Sequence, residues 1–280
     1  MLASVAPDAP DSDVASVIVD PRAAGAALEE FAKSVALGLS DTPPWLHCRF
    51  LYDDEGSRLF EEICKQPEYY LTDAEAEILE RCASHIHDAT GSVTLIELGS
   101  GNSVKTDYLL SAYAAAESSV RYVPVDVSEG MLKRARDAIV ARHPKVTVTG
   151  LADTYERAFP LFKEFSPAMV VFLGSSIGNF DQRESDVFWQ GVSDALSPCD
   201  FVLLGIDLVK DESILHAAYN DAAGVTAQFT KNLFARINRE LGAQIDLDAI
   251  EHVALYNSAW RRIEIYARFL SRQDVYLQPL

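Results

Sequence analysis

The 280-residue chain is poor in positive charge: 24 lysines and arginines stand against 42 aspartates and glutamates, a formal net charge of −18. A phosphate-backbone partner needs basic side chains clustered on one face. The one dense basic stretch, Lys133-Arg134-Ala135-Arg136, reads as a solvated helix face, so nucleic acid is not an expected partner. No apolar run reaches the roughly 18–20 residues that cross a bilayer. Residues 1–8 lack the basic-then-apolar layout of a secretory signal. No membrane association and a cytoplasmic location are therefore expected. Cysteines are few, Cys48, Cys64, Cys82 and Cys199, with no Cys-x-x-Cys pair, and reduced thiols are expected. His85 and His87, two apart, would point away from each other on a helix, and the six histidines suggest no metal site.

What is present is an ordinary globular composition, with 49% hydrophobic and 24% charged residues. Residues 1–20, rich in Ala, Pro, Asp and Ser, read as a flexible tail. Helical spacing follows over 22–39 and 56–66. A third helix is expected from Thr72, with Thr72 and Glu75 three apart in a capping-box arrangement. From residue 93 short apolar runs (93–98, 122–127, 146–151, 169–173, 201–206) alternate with helical patterns at about 103–116, 129–142, 154–164 and 183–196. Five strands with intervening helices predict an α/β fold, a parallel doubly wound sheet. Met169-Val170-Val171-Phe172-Leu173 lacks polar alternation, as expected where both faces are covered. A long helix is predicted over 214–241, stopped by Gly242, and then two strand-like segments, 251–256 and 262–269.

The chemistry gathers at the ends of these strands. Leu95-Ile96-Glu97-Leu98-Gly99-Ser100-Gly101 runs from a buried strand into a glycine turn that lets a ligand approach the backbone. Val104 stands where a dinucleotide fingerprint would carry its third glycine, which counts against a nicotinamide dehydrogenase. Asp126 ends the next strand, where a carboxylate can accept both ribose hydroxyls of an adenosine. Asp153, after the third strand, could meet an adenine amino group or simply cap a helix. Gly174-Ser175-Ser176-Ile177-Gly178-Asn179 leaves the fourth strand as a polar loop, and Asn179 offers a donor and an acceptor to an amino-acid group.

At these residues the sequence resembles the histidine-specific methyltransferase family. The resemblance spans roughly residues 22–280 and includes Phe50-Leu51-Tyr52-Asp53, Gln66-Pro67-Glu68-Tyr69-Tyr70-Leu71-Thr72, Ile96-Glu97-Leu98-Gly99-Ser100-Gly101, Asp207-Leu208-Val209-Lys210-Asp211 and Asn238-Arg239-Glu240-Leu241. Its most specific match is Ala218-Tyr219-Asn220-Asp221-Ala222-Ala223-Gly224-Val225-Thr226-Ala227. The resemblance implies a Rossmann-like core over 74–209 that holds S-adenosylmethionine. It implies a second, α+β substrate domain built from 21–73 and 210–280. Carried over residue by residue, Gly99, Ser100, Gly101, Lys105, Asp126, Asp153 and Thr154 would bind the cofactor. Tyr69, Gly174, Asn179, Tyr219, Thr226 and Ile265 would line the substrate pocket, Asn179 and Tyr219 at the carboxylate and Tyr69 at the imidazole. Tyr52 and Asn179 would serve catalysis by orienting the amine.

The implied activity is N-methylation of an amino-acid α-amine, L-histidine first, giving hercynine on the route to ergothioneine. Two departures are visible. Ile265 replaces a family methionine. The family's last core strands, with a glutamate and a serine that read the imidazole, would fall after Leu280, leaving an open five-stranded sheet that a dimer or partner chain could cover. The alternatives are another aromatic amino acid as substrate, or a truncated remnant that binds the cofactor without turnover.

Overall fold

The computed structural model describes residues 15–19, 23–101, 103 and 105–277. Its elements are β1 (Ala15–Val19), α1 (Ala23–Ser40), a 3₁₀ turn (Cys48–Leu51), α2 (Asp54–Ile63), α3 (Leu71–Thr90), β2 (Thr94–Leu98), α4 (Thr106–Ala116), β3 (Val120–Asp126), α5 (Glu129–Arg142) and β4 (Val146–Ala152). There follow α6 (Tyr155–Ala158), a 3₁₀ segment (Phe159–Phe165), β5 (Ala168–Phe172), a 3₁₀ turn (Ser176–Asn179), α7 (Gln182–Ala195), β6 (Phe201–Leu204), α8 (Glu212–Tyr219), α9 (Val225–Leu241), β7 (Ile250–Asn257) and β8 (Arg262–Phe269).

The alternation of strand and helix produces the expected parallel sheet, in the order β1-β4-β3-β2-β5-β6. It has six strands. Ala15–Val19, read from the sequence as part of a flexible tail, pairs in parallel with β4 along Val148 to Ala152. The reason lies in Ala-Ser-Val-Ile-Val, whose β-branched residues suit a strand once a neighbour offers an unpaired edge. The rest of the expected tail, 1–14 and 20, lies outside the described residues, as does Val104. β2 and β5 at the centre are buried along their whole length, as two covered faces require. One face packs on α3 and α4 through Leu79, Leu109 and Tyr113; the other packs on the Phe159–Phe165 3₁₀ segment and α7 through Phe159, Phe162 and Phe188. β6 is different. Among the described residues it has a neighbour only in β5, and Phe201, Val202 and Leu204 are exposed.

Two further expectations change. The predicted 214–241 helix is two helices, broken at residues 220–224, because Asp221 accepts the N–H groups of Val225 and Thr226 at 2.7 and 2.8 Å and Gly224 adopts φ +71°. A side chain that caps one helix ends the other. The Thr72–Glu75 capping box is absent: α3 starts at Leu71 after Tyr70 with no side-chain cap, and Glu75 bonds elsewhere. Gly242 does terminate α9 in the left-handed conformation.

β7 and β8 form a separate antiparallel hairpin. It packs with α1, α9 and the Cys48–Leu51 turn around Phe31, Phe50, Phe234 and Ile250. Residues from both ends of the chain thus share one core beside the parallel sheet. Among the described residues no helix is long and apolar enough to cross a membrane.

Candidate active site

Strand β2 lies between β3 and β5: the chain runs from β2 through β3 to β4 on one side and then crosses back to β5 on the other. This reversal opens a crevice at the C-terminal end of β2, the place where doubly wound sheets bind ligands. The chain leaves β2 through Gly99 at φ +66° and Gly101 at φ +50°, conformations that L side chains adopt only under strain. A Cβ on Gly99 would also lie 2.7 Å from the Tyr155 hydroxyl. The turn is anchored by the Gly99 N–H, which donates to the Val125 carbonyl at 2.9 Å. Asp126, closing β3, accepts the N–H of Gly101 at 3.0 Å and of Ser128 at 2.9 Å. Burial pushes its carboxyl upward, while the amides of Ser128, Gly101 and Val127 hold it back. A carboxylate has about four lone-pair sites, so Asp126 keeps acceptor capacity for a pair of ribose hydroxyls.

Beside it the Ser100 hydroxyl is buried without a protein partner. A buried orphan donor next to two glycines at positive φ and a carboxylate fits an adenosine-type ligand such as S-adenosylmethionine. Glu97, facing the same cleft from β2, accepts from the hydroxyls of Thr106 and Tyr122. Burial raises its carboxyl to about 7, against the lowering effect of those two hydroxyls and of Lys105.

Lys105 is not free: its ammonium is paired with Glu75 from the second turn of α3. The same carboxylate accepts the Gly174 N–H, at 2.9 Å through one oxygen and 3.0 Å through the other. Gly174 begins the loop after β5, Ser175 takes φ +56°, and the Ser176–Asn179 turn brings Asn179 to the cleft. There the Asn179 carbonyl meets the Cys48 thiol at 3.8 Å.

The other wall is aromatic. Tyr52 follows the Cys48–Leu51 turn, and its neighbour Asp53 caps α2 while accepting from Asn232 at 2.7 Å and Arg239 at 2.5 Å. This ties the Tyr52 segment to α9. The Tyr52 ring sits 5.6 Å from Phe60 and 5.3 Å from Phe229; Tyr69 sits 5.9 Å from Tyr219 and 6.3 Å from Phe60, all near edge-to-face. Tyr219 is held from behind, since His252 Nε2 lies 2.9 Å from its carbonyl oxygen and His252 Nδ1 lies 2.9 Å from Thr230 Oγ1. Burial pushes the Tyr52 and Tyr69 phenols well up, and burial with the nearby Asp207 charge pushes Tyr219 up to about 12. All three stay protonated at neutral pH and remain hydrogen-bond donors.

Both walls border one cleft of about 2170 Å³. Gly99, Ser100, Gly101, Lys105, Asp126, Thr154, Tyr52, Tyr69, Gly174, Asn179, Tyr219, Thr226 and Ile265 all line it. Asp153 does not. Its carboxylate accepts the Thr154 N–H at 2.9 Å and pairs with Arg157 at 3.1 Å. The sequence reading missed Glu75, Tyr155, Phe60 and Phe229, and gave Glu97 no role. A glutamate inside an apolar strand was a usable signal for Glu97; Glu75 sits at an ordinary helical position and carries none.

Residues 31–279 match the family described as histidine-specific methyltransferase, S-adenosylmethionine-dependent. A histidine N-alpha-methyltransferase of Mycolicibacterium smegmatis is 43% identical over 258 residues, 92% of this chain and 80% of that one. Its counterpart from Mycobacterium tuberculosis is 42% identical over 243 residues, 87% and 76% of the two chains. More distant is a 4-dimethylallyltryptophan N-methyltransferase of Claviceps purpurea, 28% identical over 205 residues, 68% and 59% of the two.

Proposed function

The chain belongs to the histidine-specific, S-adenosylmethionine-dependent methyltransferase family, and on that premise we propose that it methylates the α-amine of L-histidine, giving hercynine in the ergothioneine route. The observation that carries this reading is the single cleft shared by the glycine-turn and Asp126 wall and by the wall of Asn179, Tyr52, Tyr69 and Tyr219. The names of the two mycobacterial relatives support histidine as the amino acid.

In this reading Gly99, Ser100, Gly101 and Asp126 hold the adenosine part of the methyl donor, with Thr154 beside the base and Lys105 at the amino-acid end. When bound, S-adenosylmethionine supplies an electrophilic methyl group for direct displacement, which leaves alignment and a neutral amine to the protein. Asn179 and the Tyr219 hydroxyl donate to the substrate carboxylate. Tyr69 packs on the imidazole, with Gly174, Thr226 and Ile265 as further contacts. The α-ammonium of a free amino acid is protonated at neutral pH, and a desolvated aromatic pocket lowers its pKa toward the neutral, attacking form. Tyr52, kept protonated by burial, is no strong base; its hydroxyl oxygen accepts from the amine and orients the lone pair. The donor side of this site comes from 74–209, and the amino-acid side chiefly from 21–73 and 210–280, a division supported by the shared core of those two segments.

The test is turnover. Incubated with S-adenosylmethionine and a panel of aromatic amino acids, the chain should convert L-histidine to N-methylated products seen by mass spectrometry. Preference for a tryptophan derivative would move the substrate, and absence of any product would remove the catalytic reading.

A further inference from the structure

Glu75 lies outside the cleft lining, yet its carboxylate joins the two loops that meet there. It pairs with the Lys105 ammonium, on the segment between the glycine turn and α4, and accepts the Gly174 N–H with both oxygens, at 2.9 and 3.0 Å. Both partners line the cleft. The Glu75 side chain is 14% exposed and that of Lys105 25%, so the pair is largely shielded from water. Space for it is made on a third element. A Cβ on Gly205, just after β6, would lie 2.0 Å from Glu75 Oε1. Gly174 itself takes φ +74°, and Lys105 Nζ lies within van der Waals reach of where its Cβ would stand, at 3.4 Å.

We infer that Glu75 is a positioning residue, which fixes the Lys105 ammonium against the Gly174 amide so that the methyl-donor loop and the amino-acid loop are set in register. The inference rests on the reading of the cleft as a methyl-donor site. A lysine side chain has a flexible four-carbon stem, and a fixed counter-charge removes the rotamer freedom that a ligand would otherwise have to remove. The part-buried Gly174 N–H keeps its acceptor by the same contact. Glu75 therefore acts on ligand affinity through Lys105 and Gly174 without touching the ligand.

The test is a double-mutant cycle read by calorimetry with S-adenosylhomocysteine on the full chain, with thermal unfolding recorded for each protein. E75Q should weaken binding roughly tenfold, and in a K105M background its cost should shrink below about twofold. G205A, which leaves both charges and displaces the carboxylate, should weaken binding in the same direction; it carries the test if E75Q does not fold. A role confined to stability would lower the unfolding temperature and leave the affinity of the folded variants at the parent value, overturning the inference. Equal cost in both backgrounds would also overturn it. Tighter binding by E75Q would show instead that Glu75 competes with the ligand for Lys105. A parent chain that binds no S-adenosylhomocysteine would overturn the donor-site reading and this inference with it. Parent binding that E75Q leaves unchanged overturns the inference alone.

Discussion

The carboxylate of Asp126 accepts the backbone N–H of Gly101 at 3.0 Å, so the acidic end of β3 and the glycine turn after β2 are one hydrogen-bonded unit. Two features 25 residues apart in the chain are held as a preformed concave edge. Replacing Asp126 by alanine removes both the turn's acceptor and the acceptor for ribose hydroxyls. Hydrogen bonds to a charged group are worth about 1.5–3 kcal/mol each, so S-adenosylhomocysteine affinity measured by calorimetry should fall by about 10- to 100-fold. An unchanged affinity would move the adenosine elsewhere.

Asn179 tests the amino-acid side separately. Asn179→Ala should lower kcat/KM for histidine by roughly 10- to 100-fold, the worth of one hydrogen bond to a carboxylate. Its S-adenosylhomocysteine affinity should stay within about twofold of the parent. Equal turnover in both proteins would remove Asn179 from the pocket.

Glu97 makes stability depend on pH. Its carboxyl rises from an ordinary 4.5 to about 7 because it is buried, with the Thr106 and Tyr122 hydroxyls opposing the rise. The folded state therefore holds this proton more tightly than the unfolded chain. The associated stability is present in full below about pH 4.5 and is lost as pH rises through about 7. Glu97→Gln copies the protonated form and should flatten that decline, seen as unfolding temperatures of parent and variant that converge at pH 5 and separate at pH 7.5 in favour of the variant. Parallel profiles would place the pH dependence on other groups.

Gly99→Ala should be costly twice over. The positive φ imposes strain of about 1–3 kcal/mol on a residue with a side chain, and the new methyl would press on the Tyr155 hydroxyl. Urea unfolding should show the stability loss, and calorimetry should show weaker S-adenosylhomocysteine binding. A variant with parent stability would mean that the turn relaxes to another conformation.

Much of the molecule could be read before folding because its signals are local. Apolar runs spaced by amphipathic stretches placed β2 to β6, and the glycines at 99 and 101 marked a turn that turns out to need positive φ. Asp126 was legible because a carboxylate closing a strand after a glycine turn has few other uses. Where reading failed, a local rule had a stronger tertiary competitor. The Thr72–Glu75 spacing fits a capping box, but the Gly174 amide and the Lys105 ammonium offer Glu75 partners that a cap cannot match. Residues 214–241 hold helical spacing throughout, yet Asp221 takes the first amides of α9 and breaks the run. Ala15–Val19 is too short to declare itself a strand without the edge of β4 beside it.

By itself the sequence determined the alternating α/β order, the glycine turn, its acidic partner and, through resemblance, the family, because periodicity and motif spacing are properties of neighbours along the chain. Only the tertiary structure decided that Lys105 is paired in advance, that Glu75 reaches Gly174 across 99 residues, and that Tyr52, Phe60, Tyr69, Tyr219 and Phe229 close into one aromatic wall. Those contacts depend on which faces of distant elements meet, and that is set by the packing of the whole core.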